Sequence, residues 1–533
     1  MKIALIAPPY PLEEYPSPPL GICYVAAACE EAGWDVEVWD FIVQSHGDEK
    51  LKSLVETSQP HVVGATSVTM NFLSAQNILR KIKGLAPEVT TIMGGPHVSF
   101  AIYDTLKKYP HIDVLVIGEG EETIKELLSH IHEPKFWRHI PGLAFRQGEE
   151  IVITAPRPLL EDITSLPLPA RHLLPLTRYL ALGFPVSLTT SRGCPNQCIF
   201  CQGRRLVGPR PRYRSTGSVI EEIEYLLSLG FMRINFADDF FTFRRQRVVE
   251  ICEAIKRRGL KFNWSAFARV DSVDRELLEI MVEAGCDSIS FGVESGNEEM
   301  LRRIKKRIRV SQVIEAARLC TQVGMRCLVS FIVGLPGENP QTLRDTERLA
   351  HTLEEMGIEY GYHFLAPFPG TTVREEIDQY DLEILTNDWD LYDANRAIVA
   401  TSSLSPQEME EFVRRYEEGI AQAEREMEER YRHGQCTPLE RFHLEGRMRT
   451  QVIFRLLRDD LIEKMGRVCD ESIHLSPLDV LISRISPEFS YPTLFVKQVI
   501  KDLYDKGLLG IQREGRQVRW YWRDNEEYLQ ARG

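Results

Sequence analysis

Residues 191–201 read Ser-Arg-Gly-Cys-Pro-Asn-Gln-Cys-Ile-Phe-Cys, which places Cys194, Cys198 and Cys201 in the spacing CxxxCxxC. The stretch follows an apolar run, Val186 to Thr190, that has the composition of a β-strand. Three thiolates on one short loop can bind three corners of an iron-sulfur cubane and leave its fourth iron without a protein ligand. A zinc site is the alternative, but zinc needs a fourth Cys or His and the loop contains none. The spacing therefore predicts a [4Fe-4S] cluster with one open iron.

Downstream of this stretch, helical segments alternate with short β-rich runs, and a glycine marks each joint. The glycines are Gly230, Gly259, Gly285, Gly324 and Gly357, and the runs after them are 233–236, 262–264, 288–291, 327–333 and 360–365. Glycine suits the left-handed backbone in which many helices end. With Val186 to Thr190, the runs make six βα units. Because a closed barrel of this kind needs eight, we expect a partial barrel over residues 185–400.

Upstream, residues 1–150 have the alternation of a doubly wound, Rossmann-like parallel sheet. Strands are predicted at 2–7, 36–40, 62–66, 90–93 and 114–117, with helices at 20–32 and 72–82. Ligands of such sheets bind beyond the carboxyl ends of the strands. The loops there contain Pro8-Pro9-Tyr10, Ser67-Val68-Thr69, Gly94-Gly95-Pro96-His97 and Gly118-Glu119-Gly120-Glu121. Their small residues would let a large planar ligand approach the backbone, although any single glycine can equally serve a tight turn.

The remaining segments differ in character. Residues 151–184 are rich in proline and are expected to connect the two domains, and residues 401–470 are expected to form long charged helices. Residues 471–533 are expected to form two helices and a hairpin, an order that resembles a winged helix. The arginines around this hairpin, which suit nucleic acid phosphates, are Arg513, Arg516, Arg519 and Arg523. The same fold equally serves as a substrate, leader-peptide or dimerisation module.

The composition is that of an ordinary globular protein, with 43% hydrophobic and 26% charged residues. A formal net charge of -13 argues against a general polyanion-binding protein, so nucleic acid is not an expected partner. Neither a signal peptide at Met1 to Tyr10 nor an apolar run long enough to span a membrane is recognised. Three clustered cysteines and eight scattered ones suit a reducing compartment, and we expect a cytoplasmic protein.

The cysteine spacing, with an aromatic residue before the last cysteine and a barrel strand before the first, resembles the radical S-adenosylmethionine superfamily over residues 185–372. The resemblance implies that the open iron binds the amino and carboxylate groups of S-adenosylmethionine. One electron from the cluster then yields methionine and a 5′-deoxyadenosyl radical, chemistry that requires water and oxygen to be kept away. Residues at later strand ends are implied to contact the cosubstrate: Asp238 and Asp239 its amino group, Arg269 its carboxylate, Glu294 and Ser295 the ribose, and Ile332 and Gly334, within 332–338, the adenine. For the charged residues, a surface or capping role is the alternative.

The sheet domain directly before this barrel resembles the cobalamin-binding class of the superfamily, and Pro367-Phe368-Pro369-Gly370-Thr371 extends the resemblance to residues 1–390. It implies a cobalamin held by the loops after the strands, at Ser67, Val68, Gly94, Gly95, Gly118 and Glu119. The Asp-x-His-x-x-Gly signature of proteins that bind cobalt through histidine is absent. His97 is therefore expected to be a turn or packing residue. A structural or nucleotide-binding sheet is the alternative, but no G-x-G-x-x-G follows the first strand.

This class implies methyl transfer to an unactivated carbon or phosphorus of a small-molecule, lipid or peptide substrate. One S-adenosylmethionine would methylate cobalamin and a second would supply the radical, with flavodoxin or ferredoxin as electron donor. An oxidative cyclase or hydroxylase, similar to the anaerobic magnesium-protoporphyrin ester cyclase, is the second reading. A corrinoid-sensing winged-helix regulator is the third. The sequence identifies no catalytic residue and no substrate.

Overall fold

The computed structural model describes residues 1–10, 16–469, 476–515 and 517–532. It confirms the expected α/β architecture: a parallel-sheet domain is followed by a six-stranded partial barrel and then by a mainly helical region with a winged-helix-like end. In these described ranges, none of the helices combines the length and the apolar character that crossing a membrane would need.

The first domain contains a seven-stranded sheet in the order β2-β1-β3-β4-β5-β6-β7. Its first five strands are parallel and its last two are antiparallel. The strands are β1 (Lys2–Ala7), β2 (Asp35–Asp40), β3 (Val62–Thr66), β4 (Thr90–Gly94), β5 (Val114–Val116), β6 (Leu143–Gln147) and β7 (Glu150–Ile153). The helices are α1 (Leu20–Glu31), α2 (Asp48–Ser58), α3 (Phe72–Leu85), α4 (Pro96–Phe100), α5 (Ile102–Lys108) and α6 (Glu121–Ser129).

The order of the parallel strands explains where this sheet can bind a ligand. The direction in which strands are added to the sheet reverses at β1, because β2 lies on one side of β1 and all later strands lie on the other. A crevice opens at the carboxyl ends of the strands at such a switch point. The predicted parallel strands all form, whereas the β6–β7 hairpin is an unpredicted antiparallel edge that extends the sheet to Ile153, beyond the expected boundary at residue 150.

The connection between the domains is less irregular than its prolines suggest, because it contains the helix α7 (Leu176–Leu182). The side chain of Tyr179 in this helix is buried, and its hydroxyl donates a 2.6 Å hydrogen bond to Asp40 at the end of β2. The helix is therefore packed into the molecule rather than exposed as a linker.

The second domain contains six parallel strands that are hydrogen-bonded in chain order, which matches the predicted partial barrel. They are β8 (Val186–Leu188), β11 (Arg233–Phe236), β12 (Asn263–Ala268), β13 (Cys286–Glu294), β14 (Arg326–Val333) and β15 (Glu359–Phe364). The hairpin strands β9 (Ser191–Arg192) and β10 (Arg212–Tyr213) follow β8, and β16 (Glu383–Ile384) pairs with β17 (Val399–Ala400). The helices are α8 (Gly203–Val207), α9 (Thr216–Ser228), α10 (Arg245–Arg257), α11 (Arg275–Glu283), α12 (Glu298–Arg303), α13 (Val310–Val323), α14 (Pro340–Glu355) and α15 (Thr372–Glu375).

The end of the chain folds as expected into charged helices and a small module. The elements are α16 (Pro406–Arg432), α17 (Pro438–Arg458), α18 (Leu461–Met465), β18 (Arg467–Cys469), α19 (Pro477–Ile485), α20 (Thr493–Asp505), β19 (Leu509–Glu514), β20 (Gln517–Trp522) and α21 (Asn525–Arg532). The sheet order β18-β20-β19 is that of a winged helix. Arg516, one of the four arginines assigned to its wing, lies outside the described residues.

Candidate functional site

The cluster loop, residues 193–211, joins the two strands of the β9–β10 hairpin and contains all three clustered cysteines. Backbone hydrogen bonds fix it at both ends and in the middle. Cys194 N donates to Gly208 O at 3.1 Å, and Ile199 N donates to Ile304 O at 3.2 Å. Gly193 has a φ of 108°, and a Cβ there would lie 2.6 Å from Arg210 O, so this position requires glycine. The sequence therefore presents the three cysteines on a closed, anchored loop.

The donor set suits an iron-sulfur cluster. Burial raises the pKa of the Cys198 thiol, and burial likewise raises the pKa of Cys201 to about 11. The Asn196 amide and the backbone N–H of Gly203 point at the sulfurs of Cys194 and Cys201, each at 3.4 Å. Among the described residues, no three His, Cys, Asp or Glu side chains converge as they would on a single ion. A cubane does not require this convergence, because each thiolate binds a different iron.

The two aspartates at the end of β11 have different tasks. Asp238 is fully buried and accepts hydrogen bonds from Thr190 N at 2.6 Å, Thr190 Oγ1 at 2.7 Å and Ser191 Oγ at 2.6 Å. Both of its oxygens therefore hold the strand that leads into the cluster loop. Asp239 accepts the Gly193 N–H at 3.1 Å, and it lines the cavity between the domains. Of the predicted pair, Asp239 is the one placed to receive a ligand amino group.

Arg269 has a buried donor to spare. Its Nε and Nη2 form a bidentate pair with Asp271 at 3.0 and 2.9 Å, and its buried Nη1 has no hydrogen-bond partner among the residues that the structure describes. A buried, unpaired guanidinium nitrogen costs free energy, and an acceptor on a bound ligand would remove that cost. This arrangement suits the carboxylate that the sequence analysis assigned to Arg269.

Glu294 has a partner that the sequence analysis missed. Its Oε1 lies 2.7 Å from Lys306 Nζ, and both side chains are about nine-tenths buried. The Lys306 ammonium also lies 5.8 Å from the ring of Phe200, the aromatic residue inside the cysteine spacing. The backbones of Glu294, Lys305 and Arg307 are left-handed, with φ values of 73°, 57° and 59°. Such conformations cost free energy in residues other than glycine, and their clustering around one buried ion pair is typical of a functional site.

Most polar groups of the other predicted cosubstrate residues form hydrogen bonds within the protein. The hydroxyl of Ser295 is buried, accepts the Asn297 N–H at 3.2 Å and lies 3.3 Å from Thr346 Oγ1. Gly334 donates its N–H to Glu338 Oε2 at 2.6 Å, and a Cβ on Gly334 would meet Val399. Burial raises the pKa of Glu338 to about 8. Ser295 and Gly334 therefore shape the strand ends, and the half-buried Ile332 remains available for an apolar contact.

A cavity of about 360 Å³ lies between the two domains, and its lining fits a large planar ligand such as cobalamin. One wall is the sheet edge, with Gly64 inside β3 and further glycines at the ends of β4 and β5, and the other wall contains Ser191, Arg192 and Asp239. Gly95 has a φ of 102°, and a Cβ there would lie 2.5 Å from Ser67 O. No described residue hydrogen-bonds to the buried hydroxyl of Ser67, so this polar group is unused within the described part of the chain.

The predicted cobalamin contacts divide into two groups. Of the described residues, Gly94, Gly95, Gly118 and Glu119 line the cavity, whereas Ser67 and Val68 are not part of its lining. Val68 donates its N–H to Asn71 Oδ1 at 3.0 Å. The Glu119 carboxylate forms ion pairs with Arg192 and Arg212, so it links the first domain to the second.

His97 is a packing residue, as expected. It is fully buried, stacks on Phe72 at 4.1 Å and lies edge-on to Trp389. Burial lowers the pKa of His97 to about 3, which keeps the ring neutral. Its position beneath Trp389 ties the first domain to the segment after the barrel.

Comparison with known proteins agrees with both domains. Residues 14–128 match the B12 binding domain, and residues 188–350 match the Radical SAM superfamily. An uncharacterized methyltransferase of Pyrococcus horikoshii is 32% identical over 423 residues, which are 78% of this chain and 91% of that protein. The anaerobic magnesium-protoporphyrin IX monomethyl ester cyclase of Cereibacter sphaeroides is 32% identical over 68% of this chain and 61% of that protein.

A solved structure has the same fold over nearly the whole length. The cobalamin-dependent S-adenosylmethionine radical enzyme OxsB, with aqua-cobalamin and S-adenosylmethionine bound, gives a TM-score of 0.67 at 17% sequence identity. The likeness covers 95% of this chain and 84% of that one. At this identity the likeness concerns the fold alone.

Proposed function

The chain belongs to the cobalamin-binding class of the radical S-adenosylmethionine superfamily, and on that premise we propose that it methylates an unactivated carbon or phosphorus atom of its substrate. As an enzyme of this class it uses a [4Fe-4S] cluster, S-adenosylmethionine and cobalamin. The cluster supplies the electron that cleaves S-adenosylmethionine to a 5′-deoxyadenosyl radical, and cobalamin supplies the methyl carrier.

One observation carries this proposal: a single cavity is walled by the glycine-lined edge of the first domain and by the strand that enters the cluster loop. A planar ligand in this cavity faces the region of the cysteines. Methyl transfer to a substrate radical requires the carrier and the radical source to share one water-excluded space. The juxtaposition supports a transferase in which both cofactors act on one substrate.

Within this site we assign roles to side chains of this chain. Cys194, Cys198 and Cys201 would hold the cluster. Arg269, through its unpaired Nη1, and Lys306, held by Glu294, would bind the S-adenosylmethionine carboxylate, and Asp239 would bind its amino group. Arg269 is held by Asp271 and Lys306 by the buried Glu294, so binding does not need to order these two side chains.

The proposal is tested with anaerobically reconstituted protein. We expect it to bind hydroxocobalamin and, with S-adenosylmethionine and a reductant, to release 5′-deoxyadenosine and S-adenosylhomocysteine. Mass spectrometry of treated cell extract should show a product that is heavier by CH2, because a methyl group replaces a hydrogen atom. Cys198→Ala is the control and should release neither nucleoside product. Cleavage of S-adenosylmethionine without corrinoid binding and without S-adenosylhomocysteine would refute methyl transfer.

An oxidative cyclase is the second candidate, favoured by the 32% identity to the magnesium-protoporphyrin ester cyclase. A cyclase or hydroxylase would form 5′-deoxyadenosine without transferring a methyl group. Stoichiometric S-adenosylhomocysteine therefore separates the two reactions.

A corrinoid-sensing regulator is less well supported. Helix α20, in the position of a DNA-recognition helix, carries two lysines and two aspartates and is electrically neutral. Lys497 pairs with Asp479, and Lys501 pairs with Asp505. DNA binding depends on uncompensated positive charge, which this helix does not offer.

We also propose a cytoplasmic location and an acidic electron donor such as flavodoxin or ferredoxin. The ten cysteines with described side chains are free thiols, as suits a reducing compartment. Arg205 and Arg210 of the cluster loop are exposed and would attract an acidic protein.

A further inference from the structure

The base of the cluster loop carries two arginines that face each other. Arg192 on β9 and Arg212 on β10 are directly opposed in the antiparallel pair that closes residues 193–211. Like charges in opposed positions destabilise a β pair. Both side chains are largely buried, 15% and 10% exposed, so water screens their repulsion weakly. Without a counter-ion, the repulsion between the two arginines therefore favours opening of the hairpin at the base of the loop that carries the cysteines.

The first domain supplies the anion that reverses this repulsion. Glu119, in the loop after β5, accepts from Arg212 Nη1 at 2.8 Å and Nη2 at 2.7 Å, and from Arg192 Nη1 at 3.3 Å. Glu121 accepts from Arg192 Nη2 at 2.6 Å. A bidentate arginine–carboxylate pair is among the stronger hydrogen-bonded arrangements in proteins. One carboxylate from another domain therefore bridges the two strands that close the cluster loop.

The same loop of the first domain forms part of the cavity wall. Gly118 and Gly120, on either side of Glu119, line the cavity together with Glu121 and Arg192. Gly118 donates its N–H to Ser99 Oγ at 3.0 Å, so the loop is tied back into the first domain. A ligand that orders this loop also orders Glu119.

We propose that Glu119 is a positioning residue that couples the two cofactor sites: it closes the base of the cluster loop, so that cobalamin binding and cluster retention stabilise each other. The inference rests on the cofactors of the family and not on methyl transfer, because neither retention nor affinity requires turnover. The two effects are reciprocal. If bound cobalamin raises the equilibrium affinity of the protein for the cluster by some factor, the cluster must raise the affinity for cobalamin by the same factor.

The first measurement is cluster loss. Reconstituted protein is mixed with an iron chelator under anaerobic conditions, with and without hydroxocobalamin, and the released iron is followed by absorbance. Cobalamin should slow the release severalfold in the unmodified protein and should have little effect in Glu119→Gln. Glu122→Gln is the matched control, because Glu122 lies three residues along the same segment and pairs with Lys125 rather than with the arginines of the hairpin. It should behave like the unmodified protein.

The second measurement is the affinity for hydroxocobalamin in proteins with and without cluster. The cluster should tighten binding in the unmodified protein by about the factor by which cobalamin favours the cluster, in the range of roughly 5- to 150-fold typical of coupled sites. In Glu119→Gln the two affinities should converge. A residue that merely stabilised the fold would lower both affinities and leave their ratio unchanged.

A double-mutant cycle makes the test independent of one variant. Arg212→Gln alone should also abolish the coupling, because the second strand loses its tie to the first domain. The double variant Glu119→Gln/Arg212→Gln should release iron no faster than Glu119→Gln, since the two changes break one interaction. If Glu119→Gln does not fold, Arg212→Gln carries the measurement. Unchanged coupling in either folded variant would overturn the inference.

Discussion

Lys306 and Glu294 stand out among single residues because three strained backbone positions surround their buried ion pair. We expect Lys306→Met to weaken S-adenosylmethionine binding by about tenfold or more, since a buried, charge-assisted hydrogen bond contributes roughly 1.5–3 kcal/mol. The measurement is the dissociation constant from the change that S-adenosylmethionine causes in the electron paramagnetic resonance spectrum of the reduced cluster. Lys305→Met, at the exposed neighbouring position, is the control. Equal affinities in the two variants would remove Lys306 from the site.

Asp40 gives the molecule a pH dependence of known sign. Burial raises the pKa of this carboxyl from 3.8 to about 6, although the Tyr179 hydroxyl donates to it. Because the folded state binds this proton more tightly than the unfolded state, the contribution of Asp40 to stability is greatest below pH 4 and is lost as the pH rises through 6. The pKa difference corresponds to roughly 3 kcal/mol.

The check on Asp40 is the free energy of unfolding of Asp40→Asn relative to the unmodified protein, measured from pH 4 to pH 8. The asparagine variant should gain relative stability up to about pH 6 to 7, and the difference should then stay constant. A difference that does not change with pH would contradict the assignment to Asp40.

For single residues, the sequence predicted the position of the site better than it predicted the role of each side chain. The cysteine spacing located the cluster loop because ligand spacing is a local property. The sequence could not show that the Asp238 carboxylate is hydrogen-bonded to Thr190 and Ser191, because these bonds depend on how β8 and β11 pair. Lys306 was missed because it lies in the segment after α12, twelve residues beyond Glu294, and no periodicity marks it.

Among the elements, the loop Pro367–Thr371 connects the barrel to the first domain. Gly370 has a φ of 83°, and a Cβ there would collide with the ring of Phe100 in α4. Gly370→Ala should therefore lower the thermal midpoint and the cobalamin affinity. Gly357→Ala is the matched control, because Gly357 has a φ of 76° and no atom within 4 Å of the added Cβ. The control isolates backbone strain, which costs about 1 kcal/mol.

The difference between the two glycine variants measures the contact between the domains. Adding Phe100→Ala to Gly370→Ala should recover part of the loss, because it removes the ring that the new methyl group meets. If Gly370→Ala behaves like Gly357→Ala, the loop does not depend on a close approach to α4.

Elements with a regular period were predictable, and elements that depend on packing were not. The glycines at the helix ends predicted where the barrel strands begin, because each glycine marks the end of one helix and the turn into the next strand. The β6–β7 hairpin was missed because it breaks the βα alternation, although Gly148 supplies a turn with a φ of 63°. Helix α7 was missed because the surrounding prolines suggested an irregular chain, whereas Tyr179 and its buried neighbours hold it as a helix.

Across the whole molecule, the terminal module is fastened to the connection between the two cofactor domains. The Asn525 amide donates to His172 O at 2.7 Å and Leu174 O at 2.9 Å and accepts the Leu176 N–H at 3.2 Å. Asn525→Ala removes these three hydrogen bonds, although the Leu176 N–H keeps a 2.9 Å bond to Leu174 O, and the loss should cost about 1–3 kcal/mol. We expect roughly tenfold faster hydrogen exchange at Leu176 and in α7.

The control for Asn525 is Glu526→Ala, an exposed change in the same turn of α21. It should leave exchange in the connection unaltered. Slow exchange in both variants would show that the packing of Trp522 against Arg178, and not Asn525, fastens the module.

The carboxylate of Glu119 also imposes an order on biogenesis. The sheet domain is synthesised before residues 193–211, and domains generally fold as units in the order of synthesis, so we expect the counter-ion for the two arginines to be in place when the cysteines emerge. Iron that is delivered at that stage can bind to cysteines on a hairpin that is able to close. A chain whose amino-terminal half folds late would offer its thiols to iron on an open, self-repelling hairpin, and maturation would then compete with oxidation of those thiols.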